Sequence, residues 1–332
     1  MICSLLPSGL ATAFAADAAG QGVTLPSSYT GEFDLATATE ENLQIATDGT
    51  YKFTGTGTNP IIVNDGVTAT LVLNGVELTS ATSPIQLQGS AKVTLVVLDG
   101  TTNTLTCTKT GTEGVLTAEP SAGILAEDGS FLTIDRAAGE KGTGKLNVTG
   151  GYGGAGIGGG NFTEVLTEER AANGNDSTRY YGLGTDNWDP QGKGGQGGRH
   201  GADAGQAGTV TINAGILQIT GGSGGAGIGG GMGAAGENGT KGEGGRTSYR
   251  NGGGAAGSWF GNGGGAGGTG GNGGRGGAGG TVTVNGGTVN VAGGKFTLTR
   301  NNKTVDVIPA SIGGGAGGIG GNGGAGGAGG NN

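Results

Sequence analysis

From Leu43 to Val148 apolar and polar residues alternate in short runs. Leu43-Gln44-Ile45, Tyr51-Lys52-Phe53, Ala69 to Leu73, Val76-Glu77-Leu78, Ile85-Gln86-Leu87, Val93 to Leu98, Phe131 to Ile134 and Lys145 to Val148 all show it. Period-two patterning with β-branched enrichment predicts strands. Thr47-Asp48-Gly49, Asn74-Gly75, Gly89 and Asp99-Gly100 punctuate them as turns. No stretch holds a helical period. Asn-Gly also suits a two-residue hairpin, so an antiparallel sandwich competes with a coil of parallel strands. Irregular excursions between strand pairs favour the coil. Inward Val, Ile and Leu would then form a ladder at about 4.8 Å per coil, with Asn74, Asn103 and Asn147 expected to stack at corners.

After residue 150 the pattern changes material. Gly150-Gly151-Tyr152-Gly153-Gly154-Ala155-Gly156-Ile157-Gly158-Gly159-Gly160 returns 71 residues on as Gly221 to Gly231, with one residue changed, and Trp188 maps onto Trp259. Thr209-Val210-Thr211-Ile212 returns as Thr281-Val282-Thr283-Val284 at an offset of 72. A third copy inserts Lys295 to Pro309 before Ser311-Ile312-Gly313. A fixed long period predicts a stacked architecture. Between the strand pairs, the run from Gly264 repeats Gly-Gly-X, and Gly317-Gly318-Ile319 begins a similar one. A three-residue period suits polyproline-II-like geometry at about 3.1 Å per residue. Its bare edges could exchange N–H···O and Cα–H···O contacts with parallel neighbours; a floppy linker is the alternative. The residues therefore predict an all-β protein, a parallel β-helix with polyglycine-II-like segments packed beside it.

Composition narrows this picture. Most of the 87 glycines lie after residue 150, and with 7 prolines in 332 residues collagen is excluded. A net charge of −8 with scattered basic residues argues against nucleic acid as a partner. Ile2 to Leu10 is mostly apolar, and Ala13-Phe14-Ala15 is a small-residue cleavage pattern, so residues 1–16 read as a signal-peptide remnant lacking its basic start. That predicts a secreted protein. Cleavage would remove Cys3 and leave Cys107 as a small buried residue with no disulfide framework. No later segment is long and apolar enough to span a membrane. Residues 17–150 then form an N-terminal β-helix region, and residues 151–332 a glycine-rich repeat region continuing the solenoid.

Ala69 to Leu78, and Val93 to Leu98 followed by Asp99-Gly100-Thr101-Thr102-Asn103-Thr104-Leu105, resemble the N-terminal part of a family of secreted carbohydrate-binding β-helix proteins from Gram-positive anaerobes. Ala122-Gly123-Ile124, Glu127-Asp128-Gly129 and Leu132-Thr133-Ile134 continue the likeness. The Gly-Ala-Gly-Ile-Gly-Gly-Gly units resemble repeats of large bacterial surface adhesins. Together the resemblance covers about residues 40–315. It implies a right-handed parallel β-helix, polysaccharide or surface glycan as partner, other cell-surface proteins nearby, and calcium. No calcium ligand maps residue by residue. Members carry a C-terminal anchor that is not seen in this sequence, so a fragment of a longer protein is expected.

Gly154 to Gly159 satisfies a dinucleotide fingerprint, but more glycine follows where a helix is needed, and the motif recurs at Gly225–Gly230. A tight backbone corner explains it better. His200 is the sole histidine, so histidine-based catalysis or metal binding has no second partner; a solvated loop residue is expected. Glu164, Glu168, Glu169, Asp186 and Asp189 share one excursion, and Asp128, Asp135 and Arg136 cluster near a strand, so a polysaccharide hydrolase or lyase is the runner-up. A glycine-rich structural stalk is another alternative. Ice binding is not expected, because no regular Thr-x-Thr ladder persists along the chain. The aromatics carry more. One excursion holds Tyr180, Tyr181 and Trp188, the next Tyr249, Trp259 and Phe260. Such rings stack on sugars, with Arg179, Arg250, Asp186 and Asn187 bonding hydroxyls; a Trp anchoring its excursion onto the solenoid is an equal reading. The expected function is a non-enzymatic, carbohydrate-binding, adhesin-like protein.

Overall fold

The computed structural model describes residues 2–5, 10–14, 22–40, 43–111, 121–160, 166–175, 193–243, 247–249, 259–261, 265–300, 303–318 and 320–326. The protein is all-β, with no α-helix among the described residues, and its sheets are mostly parallel. It divides into two units. The first comprises residues 1–163, 203–233 and 275–317, the second residues 164–202, 234–274 and 318–332.

In the first unit most strands pair in parallel with strands earlier and later in the chain. Gly49–Gly57, Thr68–Ser80, Lys92–Val97, Phe131–Asp135, Thr209–Ile212 and Thr281–Val284 join in parallel register in a 13-stranded sheet. The same sheet takes in Thr102–Cys107, Lys145–Thr149, Ile216–Ser223 and Thr288–Gly294. A seven-stranded parallel sheet runs from Gln44–Ile45 to Ile312–Gly313. Asn74-Gly75 is not a hairpin. Thr68–Ser80 bends there, with Gly75 at φ 73°, and its two halves pair with Lys92–Val97 and Thr102–Cys107. Only glycine takes that conformation without strain.

Alternation places the core. In the smaller sheet Ile61, Ile85, Ile124, Ile157, Ile228 and Ile312 stand in one register column. The first five are fully buried, and Ile312, in the last strand, is 39% exposed. In the larger sheet Leu71, Leu95, Ile134 and Ile212 form a facing column, all fully buried. Asn103, in strand Thr102–Cys107, bridges neighbouring strands instead of stacking with another asparagine. Its side chain accepts the Val76 N–H at 2.9 Å and donates to the Lys145 carbonyl at 3.3 Å. Asn74 and Asn147 do not stack with it: Asn74 lies opposite Thr54, and Asn147 lies beside Thr104 in an outward position. The third copy's insertion is a hairpin, Phe296–Arg300 with Lys303–Val307, after which Ile312 rejoins its column. Ile2–Leu5 and Leu10–Phe14 form an antiparallel pair, and the latter also pairs with Thr288–Gly294.

The second unit has a different interior. Backbone N–H groups spaced three residues apart donate to neighbouring glycine segments. Gly195, Gly198 and Gly201 donate to Ala266, Thr269 and Asn272. Gly268, Gly271 and Gly274 donate to Thr240, Glu237 and Ala234, and Gly318, Gly321 and Gly324 to Gly274, Gly271 and Gly268. Segments 193–202 and 265–274 are thus parallel neighbours, as the sequence predicts. Segment 265–274 runs antiparallel to 234–243 and to 318–324, which the sequence does not predict. Along 265–274 every third residue, Gly265, Gly268, Gly271 and Gly274, is buried, and Ala266, Thr269 and Asn272 are exposed. A Cβ on Gly268 would run into the Gln196 carbonyl, so the approach that permits these bonds requires glycine.

Candidate functional site

Of the aromatic residues singled out, three fall among the described residues. Thr247–Tyr249 and Trp259–Gly261 form an antiparallel pair in which Tyr249 lies opposite Trp259 and Ser248 opposite Phe260. Directly opposed residues in such a pair share one face of the ribbon, so the hairpin brings two aromatic positions together from ten residues apart. Arg179, Tyr180, Tyr181, Trp188 and Arg250 lie outside the described residues.

Polar side chains in the second unit complete its backbone bonding. Thr240 Oγ1 accepts the Gln196 N–H at 2.7 Å, Asn238 Oδ1 the Asn322 N–H at 2.7 Å, and Asn173 Oδ1 the Gly197 N–H at 2.8 Å. His200 is part of this pattern rather than a free loop residue: its Nδ1 accepts the Asn272 N–H at 2.8 Å, which uses the ring's unprotonated nitrogen. Glu237 Oε2 accepts from the Arg199 backbone and Nε, each at 3.2 Å, with Arg170 Nη1 at 3.7 Å. The Arg199 N–H and guanidinium hold the Glu237 carboxyl below its ordinary value. Of the carboxylates in the first excursion, Glu168 and Glu169 lie in strand Leu166–Arg170, Glu169 exposed. Glu164, Asp186 and Asp189 lie outside the described residues.

The outward face of the first unit's larger sheet shows order that the linear sequence hides. Thr50, Thr70, Thr94, Thr133, Thr211 and Thr283 align in one register column. The neighbouring column reads Thr68, Lys92, Phe131, Thr209, Thr281, so two of its threonines are replaced in adjacent repeats. Phe131 is 46% exposed, with Lys92 Nζ 5.8 Å from its ring centroid. Sequence reasoning passed over this pair, although the parity of Phe131 against buried Leu132 and Ile134 points it outward. One column further, Asp135, Asn213 and Asn285 are linked by side-chain hydrogen bonds of 3.0 and 2.9 Å. This ladder accounts for Asp135 structurally.

Other candidates resolve as backbone devices. Ile157–Gly158 and Ile228–Gly229 are paired strands, so the fingerprint-like motif meets no helix N-terminus. At Gly156 a Cβ would meet the Gly227 carbonyl at 2.6 Å, which explains why that motif is glycine. Cys107 is buried, and burial pushes its thiol up, against thiolate chemistry. Among the described residues no three Asp, Glu, His or Cys side chains converge. Among the described residues no helix is long and apolar enough to cross a membrane.

Compared with known proteins, residues 39–319 match a family model described as carbohydrate-binding domain-containing protein. No curated protein and no solved structure matches the chain.

Proposed function

The chain belongs to the carbohydrate-binding domain-containing family whose model spans residues 39–319, and from that premise we propose a secreted or surface-held, adhesin-like protein that binds polysaccharide without transforming it. The family match carries this reading. Secretion is supported by the cleavage pattern at Ala13-Phe14-Ala15. The parallel ladders are read as turns of a right-handed parallel β-helix, the hand that parallel crossovers take, and the three-residue hydrogen-bond period as polyglycine-II packing.

The excursion residues Tyr180, Tyr181, Trp188, Tyr249, Trp259 and Phe260 supply rings for the apolar faces of sugars, and Arg179 and Arg250 supply donors for hydroxyls. Opposition of Tyr249 and Trp259 across the antiparallel pair supports this, since it sets two aromatic positions side by side. Weak sites repeated along one chain gain avidity for a long glycan. A glycan-array screen of residues 17–332 tests the reading. Retention of polysaccharide that falls when Trp188→Ala and Trp259→Ala are combined, with the fold intact, is expected. Undiminished retention in the double variant would remove the excursions from the binding surface. A stability change with no glycan retained by either protein would make the chain a structural stalk.

A further inference from the structure

We propose that Phe131 and Lys92, on the outward face of the first unit's larger sheet, form a second glycan contact, and that it takes an extended polysaccharide chain laid across the strands. This rests on the carbohydrate-binding reading but uses none of the excursion residues.

A single exposed phenylalanine needs no explanation; this one stands out by contrast with its surroundings. Within the strands that build its own column the other outward apolar residues are covered, although Ile216, elsewhere in the sheet, is 37% exposed. Val72 and Val96 are outward-facing yet fully buried, packed with Ala137 under a strap containing Val23, Leu25 and Tyr29. That strap is fastened by Val23 N–H to the Arg136 carbonyl and Ala138 N–H to the Val23 carbonyl, each 2.8 Å. It leaves Phe131 nearly half exposed. The ring cannot turn inward, because Leu132 and Ile134 hold the core positions on either side of Thr133. Its column otherwise favours threonine, so bulk has been placed where the sheet needs none.

The surroundings suit a sugar. Lys92 flanks the ring on one side in the column, and Thr209, a short side chain, follows on the other. Lys92 makes no ion pair among the described residues, so its ammonium is available to donate to ligand oxygens while it fixes the ring through the cation–π contact. Beside them Thr94, Thr133 and Thr211 present half-buried hydroxyls, each both donor and acceptor. The sheet spaces these groups at about 4.8 Å along the stack, close to the length of one pyranose unit. A chain crossing the strands would meet the ring with one sugar face and successive hydroxyls with the next units. A chain lying along a strand would instead meet outward side chains at every second residue, about 6.6 Å apart, a step longer than one sugar.

The test uses Phe131→Thr, which restores the column's own residue and should fold, and Phe131→Tyr. Each is run with the parent protein in native gels containing soluble β-1,4-glucan, β-1,4-xylan or a uronan, and against the matching di- and hexasaccharides. Phe131→Thr should weaken affinity for the retained polysaccharide about tenfold at unchanged melting temperature. Phe131→Tyr should keep it, and the hexasaccharide should bind more tightly than the disaccharide. Parental affinity in Phe131→Thr would overturn this site while leaving the family reading intact. Equal affinity for disaccharide and hexasaccharide would overturn the extended-chain orientation. Retention by no polysaccharide would remove both the site and the reading on which it rests.

Discussion

The two units solve the problem of an interior in opposite ways. The first hides side chains: Ile61, Ile85, Ile124, Ile157 and Ile228 fill it, and backbone hydrogen bonds lie in the sheets around them. The second hides backbone: Gly265, Gly268, Gly271 and Gly274 are its buried positions, and the side chains of Ala266, Thr269 and Asn272 face out. One unit is therefore damaged by losing volume and the other by gaining it. Apolar content alone would miss the second interior, because its cohesion comes from closely spaced N–H···O bonds that only glycine allows.

The contrast predicts a hierarchy of effects. Ile157→Ala leaves a cavity in a fully buried column and should cost about 2–5 kcal/mol in denaturant unfolding. Gly268→Ala adds a single methyl where the Gln196 carbonyl sits and should cost about 1–3 kcal/mol, whereas Asn272→Ala, on the exposed edge of the same segment, should stay within about 0.5 kcal/mol. Equal tolerance of these two substitutions would erase the distinction between the units. The smallest effect is electrostatic. Glu237 has a lowered pKa because it accepts from Arg199, so its contribution is present above the ordinary glutamate range and fades as pH falls through the depressed value. Glu237→Gln should flatten that acid limb of the melting-temperature profile, with salt reducing the difference.

Much of this was legible in the sequence, for physical reasons that also mark the limits. Alternation around Leu132 or Leu146 shows which side chains point inward, because strand geometry fixes parity. It does not show which residues stack. Ile124 is followed in its column by Ile157 and then Ile228, and excursions of unequal length hide that alignment. The threonine column was invisible for the same reason. The rods were legible from their triplets, but not their neighbours. A Gly-Gly-X strand offers similar bonds in both directions, so only the chain's return path decides that 265–274 lies antiparallel to 234–243. Tyr249 and Trp259 were chosen as chemistry, and their opposition across a hairpin came only with the fold. The parity of Phe131 is legible in its strand, but its contrast with a column of threonines needs the register between strands.

Residue-resolved amide hydrogen exchange across segment 265–274 tests the backbone-cored unit most directly. Gly268, Gly271 and Gly274 donate to neighbouring carbonyls, while Gly267, Gly270 and Gly273 make no such bond among the described residues. The account predicts slow exchange at the first three and fast exchange at the second three, alternating along one segment. Fast exchange at all six would show an unpacked linker and contradict it.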